Sequence, residues 1–311
     1  MDTLTITITI MTMGIMIALG AFVASRVPVT LQAKELLMFI IINLAVPSII
    51  LNAVFNTEID ENVFQQVIIV FVVSVVFNGL GILITILIGR LIKFEPSLAT
   101  KLGLLAVLGN VGFIGIPLSA TIFGPIGGLL AAVFDAGIDL VLFSLGIYLL
   151  QSEKRFHFKQ LKALINVPLI AIILGLAFVI SNLEAPFVFK QLSSILSGLA
   201  APLAMLYIGF LLYPFLRKEQ PFYYKELWYP LILKLLLFPI LAIFIMTLLP
   251  LEDFMKQLLT ILIAMPTFML ASVVFSRYSD GDNLAVITTV VSTLLSLITI
   301  PLVTLIASIF I

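Results

Sequence analysis

Apolar stretches of about 20 residues, the length that carries a helix across the hydrocarbon core of a bilayer, recur ten times along the chain with short polar breaks between them. The pattern predicts membrane helices over residues 4–24, 32–55, 63–89, 99–123, 126–150, 163–182, 191–215, 228–250, 256–276 and 284–310. The first run has no Lys or Arg before it and is long enough to span, so it reads as the first membrane helix and not as a signal peptide. The fourth and ninth runs are interrupted by residues that a plain spanning helix disfavours. The expected fold class is therefore all-α and polytopic, with ten transmembrane helices.

Basic residues orient these spans. The odd-numbered connections hold 13 Lys and Arg, the even-numbered ones only Lys190 and Lys256, and the sixteenth, Lys234, falls inside the eighth span. Cytoplasmic loops carry the Lys/Arg excess. The odd loops are thus expected inside, with both termini outside and the chain a multi-pass protein of the cell membrane. The connections are short, so no sizeable soluble domain hangs from the bilayer part.

Composition narrows the classes further. Hydrophobic residues make up 62% of the chain and charged residues 10%, with a mean hydropathy of +1.28, whereas soluble proteins carry about 25% charged residues. The partner implied throughout is the lipid bilayer. The formal net charge is zero, so there is no basic footprint for nucleic acid. With no cysteine, thiolate chemistry and disulfides are excluded, and the single histidine, His157, lies in a charged loop. No metal site and no organic cofactor are expected.

The fourth span contains Leu108-Gly109-Asn110-Val111-Gly112-Phe113-Ile114-Gly115-Ile116-Pro117, and the ninth contains Ala264-Met265-Pro266-Thr267. Non-helical backbone at membrane depth is tolerated where it is buried in protein or lines a cavity. Both spans are therefore expected to be broken helices that cross, at Pro117 and Pro266. A break exposes unpaired N–H groups at the start of the second half and unpaired C=O groups at the end of the first. The positive end of each new half-helix favours an anion. Asn110, Gly112, Gly115, Pro117, Pro266 and Thr267 are the candidate substrate-binding residues. Ser272 is a weaker one, because its hydroxyl, like that of Thr267, can simply bond a carbonyl of its own helix.

The second and seventh spans resemble each other. Asn43-Leu44-Ala45-Val46-Pro47 through Phe55 aligns with Gly198-Leu199-Ala200-Ala201-Pro202 through Phe210 at an offset of 155 residues, and Pro117 and Pro266 lie 149 apart. Five spans per half would insert the halves in opposite senses. The expected organisation is a 5+5 inverted repeat: residues 1–150, a cytoplasmic linker at 151–162, and residues 163–311. Matched interruptions in two inverted halves point to a transporter's binding site. Pro47 and Pro202, taken singly, read as kinks.

Only two acids, Asp135 and Asp139, lie deep in a span. Counted from the start of the fifth run they sit about 14 Å and about 20 Å down, at 1.5 Å per residue, and their i, i+4 spacing puts them on one face. Intramembrane acids mark ion or proton pathways by default, so this pair is the candidate coupling site for H+ or Na+. The bland alternative is a protonated aspartate acting as interhelical glue. Lys234 sits near the cytoplasmic start of its span, where it can snorkel or pair with an acid. Asn43, Asn52 and Asn78 read as interhelical hydrogen-bonding amides, with Asn43, Lys234 and Ser272 in possible support of the site.

The segment Gly109-Asn110-Val111-Gly112-Phe113-Ile114-Gly115-Ile116-Pro117-Leu118, then Phe123-Gly124 and Asp135-Ala136-Gly137-Ile138-Asp139-Leu140-Val141, resembles the auxin efflux carrier family. Its members include bacterial malate and malonate permeases and the plant PIN-FORMED carriers. Ala264-Met265-Pro266 looks like that family's second crossover. The resemblance implies a scaffold domain and a transport domain with two crossing broken helices, an architecture similar to bile-acid symporters and some sodium/proton antiporters. It implies substrate contacts near Asn110 and Pro117 with Pro266 opposite. Asp139 stands where many bacterial members carry Asn, a departure that bears on the ion chemistry. The long central cytoplasmic loop of many plant members is absent.

The function these features predict is secondary transport of a small organic anion, a dicarboxylate or an auxin-like carboxylate, by elevator-like or rocking alternating access coupled to H+ or Na+. The competing reading is a cation/proton antiporter using Asp135 and Asp139. An intramembrane aspartyl protease is disfavoured: it needs two acids on facing helices, and these share one. A scaffold that stays still often dimerises, which makes a homodimer compatible with the sequence.

Overall fold

The computed structural model describes residues 3–151, 158–181, 183–217, 224–279 and 283–311. The expected linker at 151–162 lies partly, and His157 wholly, outside these residues. Among the described residues the chain is all-helical, without strands. Seven helices are long and apolar enough to cross a membrane: Ile8–Arg26, Leu31–Asn56, Glu61–Leu91, Val111–Leu150, Phe187–Pro214, Lys225–Leu248 and Asn283–Phe310. Two shorter apolar helices, Pro96–Val107 and Val167–Ile180, add to them.

In chain order the helices are α1 (Thr3–Arg26), α2 (Leu31–Ile40), α3 (Val46–Asn56), α4 (Glu61–Leu91), α5 (Pro96–Val107), α6 (Ile116–Val141), α7 (Ile147–Leu150) and α8 (Val167–Ile180). They continue with α9 (Phe187–Ser197), α10 (Ala200–Leu216), α11 (Trp228–Ile232), α12 (Phe238–Leu248), α13 (Asp253–Ile263), α14 (Ala271–Tyr278) and α15 (Asn283–Phe310). Wide π turns join α2 to α3 (Ile41–Ala45), α6 to α7 (Leu142–Gly146) and α11 to α12 (Leu233–Leu237), and another precedes α6 (Val111–Gly115).

The 40-residue stretch Val111–Leu150 is not one rod. Gly124 has φ +75° and ψ −171°, a region essentially reserved for glycine, and Pro125 follows it. Two arms result, one ending at Phe123 and the other starting at Pro125. A Cβ on Gly124 would meet nothing within 4 Å. The glycine is therefore required by backbone geometry and not by crowding.

The chain divides into two compact units that each collect segments from both halves of the sequence. The first comprises Met1–Ile68, Val111–Val133 and Asn166–Pro221. Here α1 lies against α10, with Gly20 against the backbone of Leu206 and Gly209. Helix α3 is flanked by α8 and α9: Phe55 meets Phe178 edge-on at 5.2 Å, and Asn56 donates to the Lys190 carbonyl at 3.1 Å. Phe113 stacks on Tyr207 at 5.8 Å.

The second unit comprises Ile69–Asn110, Phe134–Ile165 and Phe222–Ile311. Helix α5 is its buried axis, with every residue from Leu102 to Val107 enclosed. Gly103 lets α5 approach α4 at Thr85 and Ile86, and the Tyr229 hydroxyl donates to the Thr85 carbonyl. Ser74 of α4 donates to the Phe134 carbonyl at 2.6 Å and lies beside Gly137 of α6. A smaller apolar cluster joins Ile243, Ala264, Val303 and Ala307.

Candidate functional site

Two helices of the second unit stop short. Helix α5 ends at Val107, where Leu108 turns extended (φ −69°, ψ 124°). Helix α13 ends at Ile263, and regular helix resumes only at Ala271. Pro266 explains the second stop, since it has no N–H to donate and its ring excludes the helical course before it. At the first stop, Gly109 and Asn110 are weak helix formers.

The two irregular segments pair with each other. Gly109 and Thr267 form an isolated antiparallel bridge. The Asn110 N–H donates to the Pro266 carbonyl at 2.6 Å, and the Phe268 N–H donates to the Leu108 carbonyl at 3.1 Å. Backbone groups released by each break are thus met by the other break, which answers the accounting problem of buried polar backbone.

Side chains complete the crossing. The fully buried Thr267 hydroxyl donates to the Leu105 carbonyl at 2.9 Å, and the Thr267 N–H donates to Ser292 Oγ at 3.1 Å. Ser292 donates in turn to the Thr289 carbonyl, and Thr289 to the Phe268 carbonyl at 3.3 Å. Lys234, only 1% exposed, donates from Nζ to the Val107 carbonyl at 2.6 Å. Its Nζ thereby sits at the partially negative C-terminal end of α5. A Cβ on Gly109 would lie 3.2 Å from Lys234 Nζ, so glycine there makes room for the lysine side chain.

Asn110 is 3% exposed, and its Nδ2 has no hydrogen-bond partner among the described residues. Leaving a buried donor unmet costs about 1–3 kcal/mol. This amide sits directly beside the paired breaks and is free to donate to an acceptor brought in from outside.

Several expectations need correction. The first break falls at Leu108–Asn110, not at Pro117, which is the second residue of α6. The π turn Val111–Gly115 runs without interruption into α6, so Pro117 lies inside a continuous helical stretch, directly after the wider turn that accommodates it. Lys234 does not snorkel, and among the described residues it pairs with no acid: it is enclosed and caps α5. Asn43 and Asn78 bond within their own helices, to the Phe39 carbonyl at 3.0 Å and the Ser74 carbonyl at 2.8 Å, and so are not interhelical bridges. Asn52 accepts from Asn56 one turn away at 2.8 Å. The Thr267 hydroxyl bonds a carbonyl of the other broken helix, not of its own.

The remaining candidates lie as follows. Pro266 and Thr267 join Asn110 at the crossing. Ser272 is half-buried on the first turn of α14. Gly112, Gly115 and Pro117 belong to the first unit, on the π turn Val111–Gly115 and the start of α6. There Pro117, with Asn52, Thr121 and Ser197, lines a cavity of about 180 Å³. Asp135 and Asp139 are half-buried on the part of α6 assigned to the second unit, and each is engaged by an interaction within the protein.

Sequence reasoning missed the contribution of α15. Thr288, Thr289, Ser292, Thr293 and Ser296 are all buried. Their spacing of three and four residues marks one face of an otherwise apolar helix, a signal present in the sequence.

A family model described as "Membrane transport protein" matches residues 5–160 and 154–304. An "Uncharacterized transporter" of Methanothermobacter thermautotrophicus is 28% identical over 265 residues, which cover 85% of this chain and 85% of that one.

Proposed function

Because the chain belongs to the membrane transport protein family, the family of the auxin efflux carriers, we propose that this multi-pass membrane protein is a secondary active transporter of a small organic anion. The substrate class is a dicarboxylate or an auxin-like carboxylate, moved by alternating access in exchange or symport with H+ or Na+. The observation that carries the reading is the buried, unpartnered Nδ2 of Asn110 beside two helix breaks that pair at Gly109 and Thr267. A carboxylate oxygen is the acceptor this donor lacks. In this reading Pro266 holds the second break open, Thr267 pins it, and Lys234 fixes the end of α5.

The ten-span, 5+5 inverted topology is part of the same proposal. Counting α5 with the arm of α6 up to Phe123 as span four, Pro125–Leu150 as span five, and α13 with α14 as span nine gives ten crossings. The irregular turn at Ile41–Ala45 before Pro47 and the one at Gly198–Leu199 before Pro202 sit at corresponding places under the 155-residue offset. Gly112, Gly115 and Pro117 follow the first break directly in the chain, and their proposed role is to let the backbone after it approach substrate.

The test is a thermal-shift screen of dicarboxylates and indole acids on the purified protein, followed by uptake in proteoliposomes. A carboxylate that stabilises the wild type but not Asn110→Ala, and that is taken up, supports the reading. Stabilisation by no organic anion, together with sodium or proton flux in its absence, favours the second reading, a cation/proton antiporter on the same fold. That alternative rests on Asp135 and Asp139 sharing one half-buried face of α6. Under either reading Asp135→Asn is expected to abolish coupled transport while the folded protein still reaches the membrane. Wild-type flux in that variant would remove Asp135 from the mechanism.

A further inference from the structure

At the opposite end of α5 from the crossing, the second unit holds a cavity of about 270 Å³, close to the lower end of the about 300–1,000 Å³ typical of small-ligand pockets. Arg90 from the end of α4, Glu95, Ser97, Thr100 and Lys101 from the start of α5, and Gln151 after α7 line it. Among the described residues that line it are two cationic groups and one carboxylate, set among hydroxyl and amide groups, and Lys101 is also engaged by an interaction within the protein.

Its surroundings fix its depth. Arg90 precedes Leu91, which is 72% exposed, and Leu87 one turn earlier is 59% exposed, so the cavity adjoins an outward apolar stripe of α4. The turn that joins α4 to α5 places Phe94 against Trp228 at 6.4 Å and Tyr229 at 5.4 Å. Trp228 is half exposed, and Trp is enriched at the level where hydrocarbon meets headgroups. Charged groups open to that level, next to a stripe suited to an acyl chain, make a site for a molecule that is polar at one end and apolar along the rest.

We propose that this cavity holds the headgroup of an aminophospholipid, with its phosphodiester on Arg90 and Lys101 and its ammonium on Glu95. Arg supplies a planar fork for phosphate oxygens and Lys a point charge. Glu95, at the mouth of the cavity, accepts a hydrogen bond from the Ser97 N–H at 3.4 Å, which holds one carboxylate oxygen in place. A glycerol headgroup offers that carboxylate no cation, and a choline offers no N–H. The positive-inside orientation proposed above puts the lipid in the cytoplasmic leaflet. The site itself does not depend on which leaflet it faces.

Native mass spectrometry of the detergent-purified full chain, with phosphatidylethanolamine, phosphatidylglycerol and phosphatidylcholine added in turn, tests this. The wild type is expected to keep the ethanolamine lipid at activation energies that strip the other two. Arg90→Gln with Lys101→Gln should lower its retention by about a hundredfold, the scale of two lost charge-assisted hydrogen bonds, while Arg90→Lys keeps most of it. Glu95→Gln, which can still cap α5, should shift the preference to phosphatidylglycerol. Equal retention of all three lipids by the wild type, or an unchanged preference in Glu95→Gln, overturns the proposal. So does displacement of the ethanolamine lipid by inorganic phosphate alone, which would make this a site for a soluble anion. Should the double variant fail to fold, Glu95→Gln and the phosphate competition decide the matter by themselves.

Discussion

Thr267→Val isolates the contribution of one hydroxyl to the crossing. Valine keeps the branched shape, so no cavity opens, and the backbone N–H bond to Ser292 is untouched. The change removes the only donor described for the Leu105 carbonyl. In a continuous helix that carbonyl would accept from the N–H of residue 109, but the chain has already turned extended at Leu108 and carries Gly109 away into the crossing. A buried acceptor left unmet costs about 1–3 kcal/mol. For a cooperative unit of about 150–250 residues, each kcal/mol lowers the melting temperature by about 2–4 °C, so the fall expected is about 2–12 °C. The single tryptophan, Trp228, lies in the same unit and packs on Tyr229 at 5.6 Å, so its fluorescence reports the melting directly. Thr267→Ser keeps the hydroxyl and loses one methyl, about 0.8 kcal/mol, and should melt closer to wild type. A valine variant that melts at the wild-type temperature, or above the serine variant, would refute the view that this hydroxyl holds the two breaks together.

Asn110→Ala removes an unpartnered buried amide, so melting of the ligand-free protein should be unchanged or raised, while stabilisation by a bound carboxylate disappears. A lowered melting point with ligand stabilisation intact would reverse the roles assigned to it. Gly124→Ala forces a side chain into backbone geometry that only glycine adopts freely, at a cost of about 1–3 kcal/mol. It should lower thermal stability although nothing crowds the position, and an unaffected variant would mean that the arms of α6 re-form as one helix. Gly109→Ala brings a methyl to 3.2 Å from Lys234 Nζ, so its effect on melting should be non-additive with Lys234→Ala, as for residues in direct contact. Additive losses in the double-mutant cycle would place the conflict elsewhere, for instance against Met265.

The apolar runs made the helical class and most helix positions legible, because spanning length and loop charge are both local properties of the chain. The interruptions were legible as well, since Gly109, Asn110 and Pro266 disfavour helix wherever they occur. Their register was not. Pro117 is the strongest breaker by type but sits directly after the π turn Val111–Gly115, which lets the helix run on through it, and the chain leaves α5 earlier, where bonds to residues far away in sequence compensate it. The same distance hid the role of Lys234. Whether a lysine near a span end reaches water or turns inward depends on the carbonyl waiting at Val107, 127 residues away. Asn43 and Asn78 were misread because an amide in an apolar helix finds its own preceding turn as readily as a neighbour.

The bridge between Gly109 and Thr267 also sets a condition on biogenesis. On the ten-span topology proposed above, a ribosome that has delivered the first half of the chain has placed the Leu105, Val107 and Leu108 carbonyls and the Asn110 amide in the lipid phase, while their partners are still unsynthesised. Lys234 arrives first, and the rest only when the segment through Phe268 emerges. The nascent protein must therefore be sheltered, or stay pliable around residue 109, until its final third is inserted. Early stop codons before that point should yield fragments that membrane proteases clear.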